Sequence, residues 1–240
     1  MVTMPMNNIL AGVLLLLVAT TPVHAAQSPA ARTIVVVRHG HYVPDPSVDE
    51  KLGPGLSPLG VAQARLAGAR LAGMANRFDA LYVSPMQRAR DTAAVIAADL
   101  PGQEFTVLDD LAECTPPTRR AEIMKDEKPE DTVACKAQLD RLFDRYFKPA
   151  QGSERTEMFV CHGNVTRYLV TRALGVDTAS WLEMSFRHAS ITTIRVEADG
   201  RFKLIAAGDA GHLPPNMLSG ATGDPDRSLA VPALPVAGAN

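Results

Sequence analysis

The sequence holds only three cysteines in 240 residues, and no two of them form a CxxC pair. That excludes a disulfide-stapled scaffold and a structural zinc ribbon. Neither charge sign dominates: 24 Lys and Arg stand against 26 Asp and Glu, a net charge of −2. This argues against a nucleic-acid coat and against a polybasic membrane binder, so no nucleic-acid partner is expected. No charged side chain precedes Arg32. The apolar run Ile9 to Ala19 is eleven residues long, whereas a bilayer-spanning helix needs about 20. What remains is a chain 46% hydrophobic and 21% charged, enough for one soluble globular domain or two small ones.

The apolar run is followed by Thr20-Thr21-Pro22, a helix breaker, and by the small-residue pattern Val23-His24-Ala25. We read residues 1–25 as a secretory signal peptide, despite an n-region without Lys or Arg. The expected mature protein is periplasmic or secreted, with no stable membrane span after cleavage. The alternative is an uncleaved N-terminal anchor. Residues 26–218 are expected to form the domain, and 219–240, rich in Gly, Pro and Ala, a flexible tail.

Within the domain, β and α signals alternate. Thr33 to Val37 is a β-branched run that suits a strand buried on both faces. Ser57-Pro58 supplies an N-cap and a first-turn proline for a helix carrying Leu59, Ala62, Leu66 and Ala69. Ala80 to Val83 reads as a second strand, and Ser84-Pro85 as the start of a second helix with Ala89, Ala93, Ile96 and Leu100 inward. A third strand falls at Phe105 to Leu108, a polar loop at 114–131, and a helix from Thr132 carrying Leu139, Leu142, Phe143, Tyr146 and Phe147. Met158 to Cys161 is a fourth strand, followed by a helix from Asn164 with Val165, Tyr168, Leu169 and Ala173 inward. Ser190 to Val196 and Phe202 to Ala206 close the domain as a hairpin or edge strands. The order predicts a single three-layer α/β/α domain around a mainly parallel sheet.

Two strands end alike, the first in Arg38-His39-Gly40 and the fourth in His162-Gly163-Asn164. Ligands of open α/β sheets lie beyond the carboxyl ends of the strands, so the two histidines face one pocket. Glycine after each permits a tight turn and a close backbone approach. The second strand leads to Arg88 on the first turn of a helix, where free N–H groups and the positive dipole end favour an anion. Two arginines beside two histidines describe a phosphate site. A neutral histidine in such a site is a nucleophile toward phosphorus, and the other donates to the phosphoryl oxygens. Glu113, after the third strand, is the best-placed acid for the leaving oxygen.

Val36-Val37-Arg38-His39-Gly40, Ser84-Pro85-Met86-Gln87-Arg88-Ala89-Arg90, Leu111-Ala112-Glu113 and Cys161-His162-Gly163-Asn164-Val165-Thr166-Arg167, in that order and spacing, resemble the histidine phosphatase superfamily in its phosphoglycerate-mutase-like branch. Arg38-His39-Gly40-His41-Tyr42, Cys161 to Tyr168 and Gly208 to Pro215 resemble the mitochondrial Ser/Thr protein phosphatases of the phosphoglycerate mutase family. Gly40 and Gly163 stand where those carry a slightly larger small residue. The resemblance implies that His39 is phosphorylated and that Arg38, Arg88 and His162 bind the phosphoryl group. It also implies that Glu113 donates the proton and that no metal or other cofactor takes part. A Trp-Asn pair after the first motif, as in the glycolytic mutase, is missing, which argues against mutase activity.

The expected partner is a phosphorylated substrate, either a Ser/Thr phosphoprotein or a small phosphate ester, with walls from 41–56 and 114–131. Two other readings remain. One is an inert phospho-ligand binding module, disfavoured because every catalytic position is filled. The other is a metal-dependent hydrolase using His39 and His41. Otherwise His41 is expected at the pocket mouth, Arg167 in a surface or structural ion pair, His188 in a structural role and Cys161 as a buried small hydrophobe. Whether Cys114 and Cys135 pair depends on a Cα separation that the sequence does not give.

Overall fold

A computed structural model of the chain describes residues 1–2, 28–49, 51–74 and 77–220. The expected signal peptide therefore lies almost wholly outside the described residues, as does the expected tail beyond Gly220. Ser219 and Gly220 belong to the domain: Ser219 is buried and its hydroxyl bonds to Gln63 and His188.

The elements follow the alternation expected. They run Pro29–Ala30 (β1), Arg32–Arg38 (β2), Pro58–Ala72 (α1), Ala80–Val83 (β3), Gln87–Ala97 (α2) and Phe105–Val107 (β4). Ala121–Met124 (α3), Pro129–Tyr146 (α4), Ala150–Gln151 (β5), Arg155–Cys161 (β6), Gly163–Leu174 (α5), Ile191–Val196 (β7) and Phe202–Asp209 (β8) complete them. The six-stranded sheet has the order β4-β3-β6-β2-β7-β8. β4, β3, β6 and β2 are parallel, and β7 and β8 add antiparallel edges. β1 and β5 pair separately.

Apolar residues on both faces of the central strands build two cores. Ile34, Val36, Phe159 and Cys161 pack with α4 and α5. Val35, Val37, Met158 and Val160 pack toward α2 and the end of α1. These are the three layers.

Local differences from expectation have physical causes. α1 buries Leu59, Ala64, Ala67, Gly68 and Leu71, while Ala69 is exposed. A helix with small residues on every side gives its neighbours little reason to select a face from periodicity alone. α4 begins at Pro129 because proline fits a first helical position. α2 begins at Gln87, two residues later than expected, and Ser84 does not cap it. The Ser84 hydroxyl bonds to His162 instead.

Cys114 and Cys135 form a disulfide, with Cα atoms 5.6 Å apart and a sequence separation of 21. It ties the segment after β4 to α4, as do Gln138, which donates to the Asp110 and Ala112 carbonyls, and the Arg141–Asp110 ion pair. Closing a loop of this length constrains the unfolded chain by about 3 kcal/mol. We expect reduction, or Cys135→Ser, to lower the unfolding free energy by about that amount in urea titrations. An unchanged midpoint would contradict it.

Candidate active site

Strand register assembles the site. In the parallel β2–β6 pair Arg38 stands opposite Cys161, so His39 and His162 leave the sheet side by side. The His39 N–H donates to the Cys161 carbonyl at 2.9 Å, and the Ser84 N–H to the Val160 carbonyl at 3.0 Å. The imidazole centroids are 5.1 Å apart, and both rings are buried.

The hydrogen bonds fix which nitrogen of His39 is free. Nδ1 lies 2.8 Å from the Gly40 carbonyl oxygen. A carbonyl only accepts, so Nδ1 carries the proton and Nε2 the lone pair. Arg88 Nε donates to that Nε2 at 3.2 Å. Burial, with His162 and Arg38 alongside, holds His39 well below the ordinary imidazole value, so it stays neutral.

His162 is set in a similar way. Its Nε2 lies 2.7 Å from Ser84 Oγ. Ser84 Oγ accepts from the Met86 N–H and keeps its own proton to donate, so the pair is satisfied by the tautomer with Nε2 as acceptor. His162 Nδ1 then carries a proton and is buried without a partner. Burial first, then Arg88 and Arg38, depresses its protonation.

Arg38 is held from behind. Its Nη1 donates to the Phe186 and Gly220 carbonyls at 2.5 and 2.8 Å, and its Nη2 lies 3.1 Å from His188 Nε2. Burial lowers Arg38 to about 10 and His188 to about 2, so His188 accepts from Arg38 as a neutral ring. Arg38 Nε and Arg167 Nε are buried without partners. Unpaired donors of this kind suit an anion with several oxygens.

Glu113 reaches the same place. Its Oε1 accepts the Asn164 N–H at 3.2 Å, at the start of α5. Burial raises its carboxyl above the usual carboxylate value, against the opposing pull of Arg88, Arg38 and Arg167. One ligand-type atom from each of His39, Glu113 and His162 lies within 4.8 Å of the others. That trio has the donor types of a metal site, but the positive field of Arg38 and Arg88 on both imidazoles opposes a dication and favours a phosphate dianion.

All five residues expected at the site are thus brought together: Arg38, His39, Arg88, Glu113 and His162. Arg167 is buried and electrostatically coupled to Glu113 and Arg38, not in a surface ion pair. Its place one turn into α5, on the side of Asn164, is the signal that points there. His188 contacts Arg38, which its sequence context does not reveal. His41 is not at the pocket mouth. It is buried, its N–H donates to Gln63, and its Nδ1 meets Ser57. Tyr42 takes the mouth position, with its ring 5.4 Å from that of His39 and 4.9 Å from the Arg88 guanidinium. The close approach at Gly40 is to the Gly60 backbone and that at Gly163 to the Arg38 side chain.

A cavity of about 460 Å³ opens beside Arg88, lined from residues 42–54 and from Met86. The expected wall from 114–131 takes no part in it. Gly53 closes it at φ +65°, and a Cβ there would sit 2.8 Å from Arg88 Nη1. Gly53→Ala combines a left-handed backbone penalty with displacement of that guanidinium. We expect kcat/KM to fall about tenfold with kcat carrying part of the loss. Wild-type kinetics would show that Arg88 tolerates the shift.

Residues 34–130 and 115–209 match the family model of the histidine phosphatase superfamily, branch 1. Serine/threonine-protein phosphatase Pgam5, mitochondrial, of Caenorhabditis elegans is 34% identical over 198 residues, covering 80% of this chain and 68% of its own. The PGAM5 of Homo sapiens gives the same figures. Among solved structures, a phosphoglycerate mutase from Plasmodium falciparum has a TM-score of 0.54 at 24% identity, covering 77% of this chain and 95% of its own. A phosphoserine phosphatase from Entamoeba histolytica has 0.58 at 19%, covering 76% and 100%. At these identities the structures establish the fold alone. The relatives are mitochondrial by name, which overturns the expectation of a periplasmic or secreted protein. The chain belongs to the histidine phosphatase superfamily, branch 1.

Proposed function

We propose that this phosphatase hydrolyses phosphomonoesters through a covalent phosphohistidine on His39 Nε2. Glu113 is the proton donor, and Arg38, Arg88 and His162 are the phosphoryl ligands. The observation that carries the reading is the fixed tautomer of His39, whose bare Nε2 faces Arg88. The Nε2 lone pair forms the P–N bond as the ester P–O bond breaks. Glu113 gives its proton to the leaving oxygen. Charge on the equatorial oxygens is met by Arg88, Arg38 and the Nδ1–H of His162. Glu113, now a carboxylate, takes a proton from the water that attacks phosphorus. The P–N bond then breaks and inorganic phosphate leaves. The substrate is a small phosphate ester or a phosphoprotein, the latter in line with the names of the relatives.

The reading is tested through the leaving group. An alkyl alkoxide needs Glu113's proton, whereas p-nitrophenolate leaves without it. In kcat/KM, which reports formation of the phosphoenzyme and not the hydrolysis step both esters share, we expect Glu113→Gln to slow an alkyl phosphate roughly 10²–10⁴-fold and p-nitrophenyl phosphate much less. Glu113 must be protonated in the first step, and its pKa is raised. The wild-type to Glu113→Gln rate ratio on the alkyl ester therefore grows as pH falls through the raised carboxyl value. His39, held neutral far below 6.5, adds no acid limb near that value. Equal losses on both esters, or a ratio that shrinks at acid pH, would remove Glu113 from the role. EDTA is expected to leave all these rates unchanged.

A further inference from the structure

We propose that the cavity beside Arg88 is a binding site for the leaving group of a small phosphate monoester, and that it selects an apolar, uncharged alcohol. The inference rests on the phosphohydrolase reading above and names the substrate class for that site. Its walls are Tyr42, Pro44, Pro46, Val48, Pro54 and Met86. Arg88 stands at its inner end, joined to His39 by the Nε–Nε2 bond of 3.2 Å, so a group in the cavity is contiguous with a phosphoryl group on His39. Apart from Arg88, the only charged lining residue described is Asp45. A carboxylate or second phosphate on the alcohol would find no cation there beyond Arg88, which holds the phosphoryl group, and one anion.

The volume, about 460 Å³, lies in the range of small-molecule pockets, which run from about 300 to 1,000 Å³. Three of the wall residues are prolines, which offer no backbone N–H. A peptide main chain laid across them would lose the donors its carbonyls need, so the walls favour a compact apolar group over an extended peptide. The loop is also anchored at both ends. Tyr42 pairs with Leu56, the Leu56 N–H donates to Asp91, and the Gln87 N–H donates to the Leu52 carbonyl at 2.8 Å. Anchored ends lower the cost of ordering the apolar wall on binding.

The test uses phosphonates, whose P–C bond is not cleaved, as competitive inhibitors of p-nitrophenyl phosphate hydrolysis by the full chain. Methylphosphonate, hexylphosphonate and 3-phosphonopropionate are compared. Burial of the added methylenes predicts that hexylphosphonate binds about 30-fold or more tighter than methylphosphonate, with 3-phosphonopropionate no tighter than methylphosphonate. Val48→Asp, on an exposed part of the loop, is expected to shrink the hexyl-to-methyl ratio to about threefold or less. Melting curves check that the variant folds. Inhibition constants that do not change along the alkyl series would overturn the proposal. So would tightest binding by 3-phosphonopropionate, or a phosphoserine peptide turned over with higher kcat/KM than hexyl phosphate. In each of those cases hydrolysis of p-nitrophenyl phosphate persists and the catalytic reading stands. Loss of that hydrolysis from wild type would instead sink both.

Discussion

Replacing His39 with alanine should reduce turnover of p-nitrophenyl phosphate by roughly 10⁴-fold or more, the scale seen when a nucleophile that forms a covalent intermediate is removed. The reason lies in how little else at the site can attack phosphorus. His162 is parallel in sequence, but its Nε2 is bound to Ser84, and in the proposed mechanism its Nδ1–H serves the phosphoryl oxygens. Cys161 is buried with its thiol pushed up to about 12, so it offers no thiolate. Glu113 lies within reach of both imidazoles, but it serves the leaving group. The measurement is steady-state kinetics on wild type and His39→Ala, with circular dichroism to confirm the fold. A variant retaining more than about a tenth of the activity would show that phosphorus is attacked by another group.

Arg88→Ala should have the next largest effect. A charge-assisted hydrogen bond contributes roughly 1.5–3 kcal/mol, so losing one costs at least tenfold in kcat/KM, and a guanidinium offers phosphate two in parallel. Arg88 also points at the attacking nitrogen, bonding to His39 Nε2 at 3.2 Å. It orients the imidazole and gives up that bond when the lone pair attacks phosphorus. A bidentate loss therefore extends the expected range to about 10³-fold. Arg88→Lys should recover only part, because an ammonium has neither the planar fork nor the same stacking on Tyr42. Full activity in the lysine variant would reduce Arg88 to a point charge. Full activity in the alanine variant would take it out of the site.

Much of this arrangement was legible in the chain. The strand at Thr33 to Val37 and the one ending at Cys161 carry β-branched and apolar residues on both faces, as a sheet covered on both sides requires. Histidine after each places two imidazoles at one sheet edge, provided the strands are parallel neighbours. Their register, Arg38 opposite Cys161, makes the expectation geometric. Glu113 follows the third strand by a few residues and needed only the turn at Asp109–Leu111 to bring it in.

What was not legible depends on contacts between distant segments. Nothing local in Ser84 distinguishes a helix cap from a partner of His162, since either role satisfies the hydroxyl. His188 meets Arg38 because β7 starts antiparallel beside the end of β2, and Gly220 because β8 then returns the chain to that end of the sheet. The disulfide required a Cα distance. The loop from Tyr42 to Pro54 is irregular, and its proline content signals stiffness without shape, so the cavity it lines emerged only with the fold.

The central claim is that phosphorus passes through His39 Nε2. The most direct test is rapid quenching of the full chain mixed with phosphorus-labelled p-nitrophenyl phosphate in the presence of EDTA. The account predicts label on wild-type protein within a single turnover, labile to acid and stable to base, and absent from His39→Ala. Turnover without any labelled protein, an acid-stable label, or activity abolished by EDTA would contradict it.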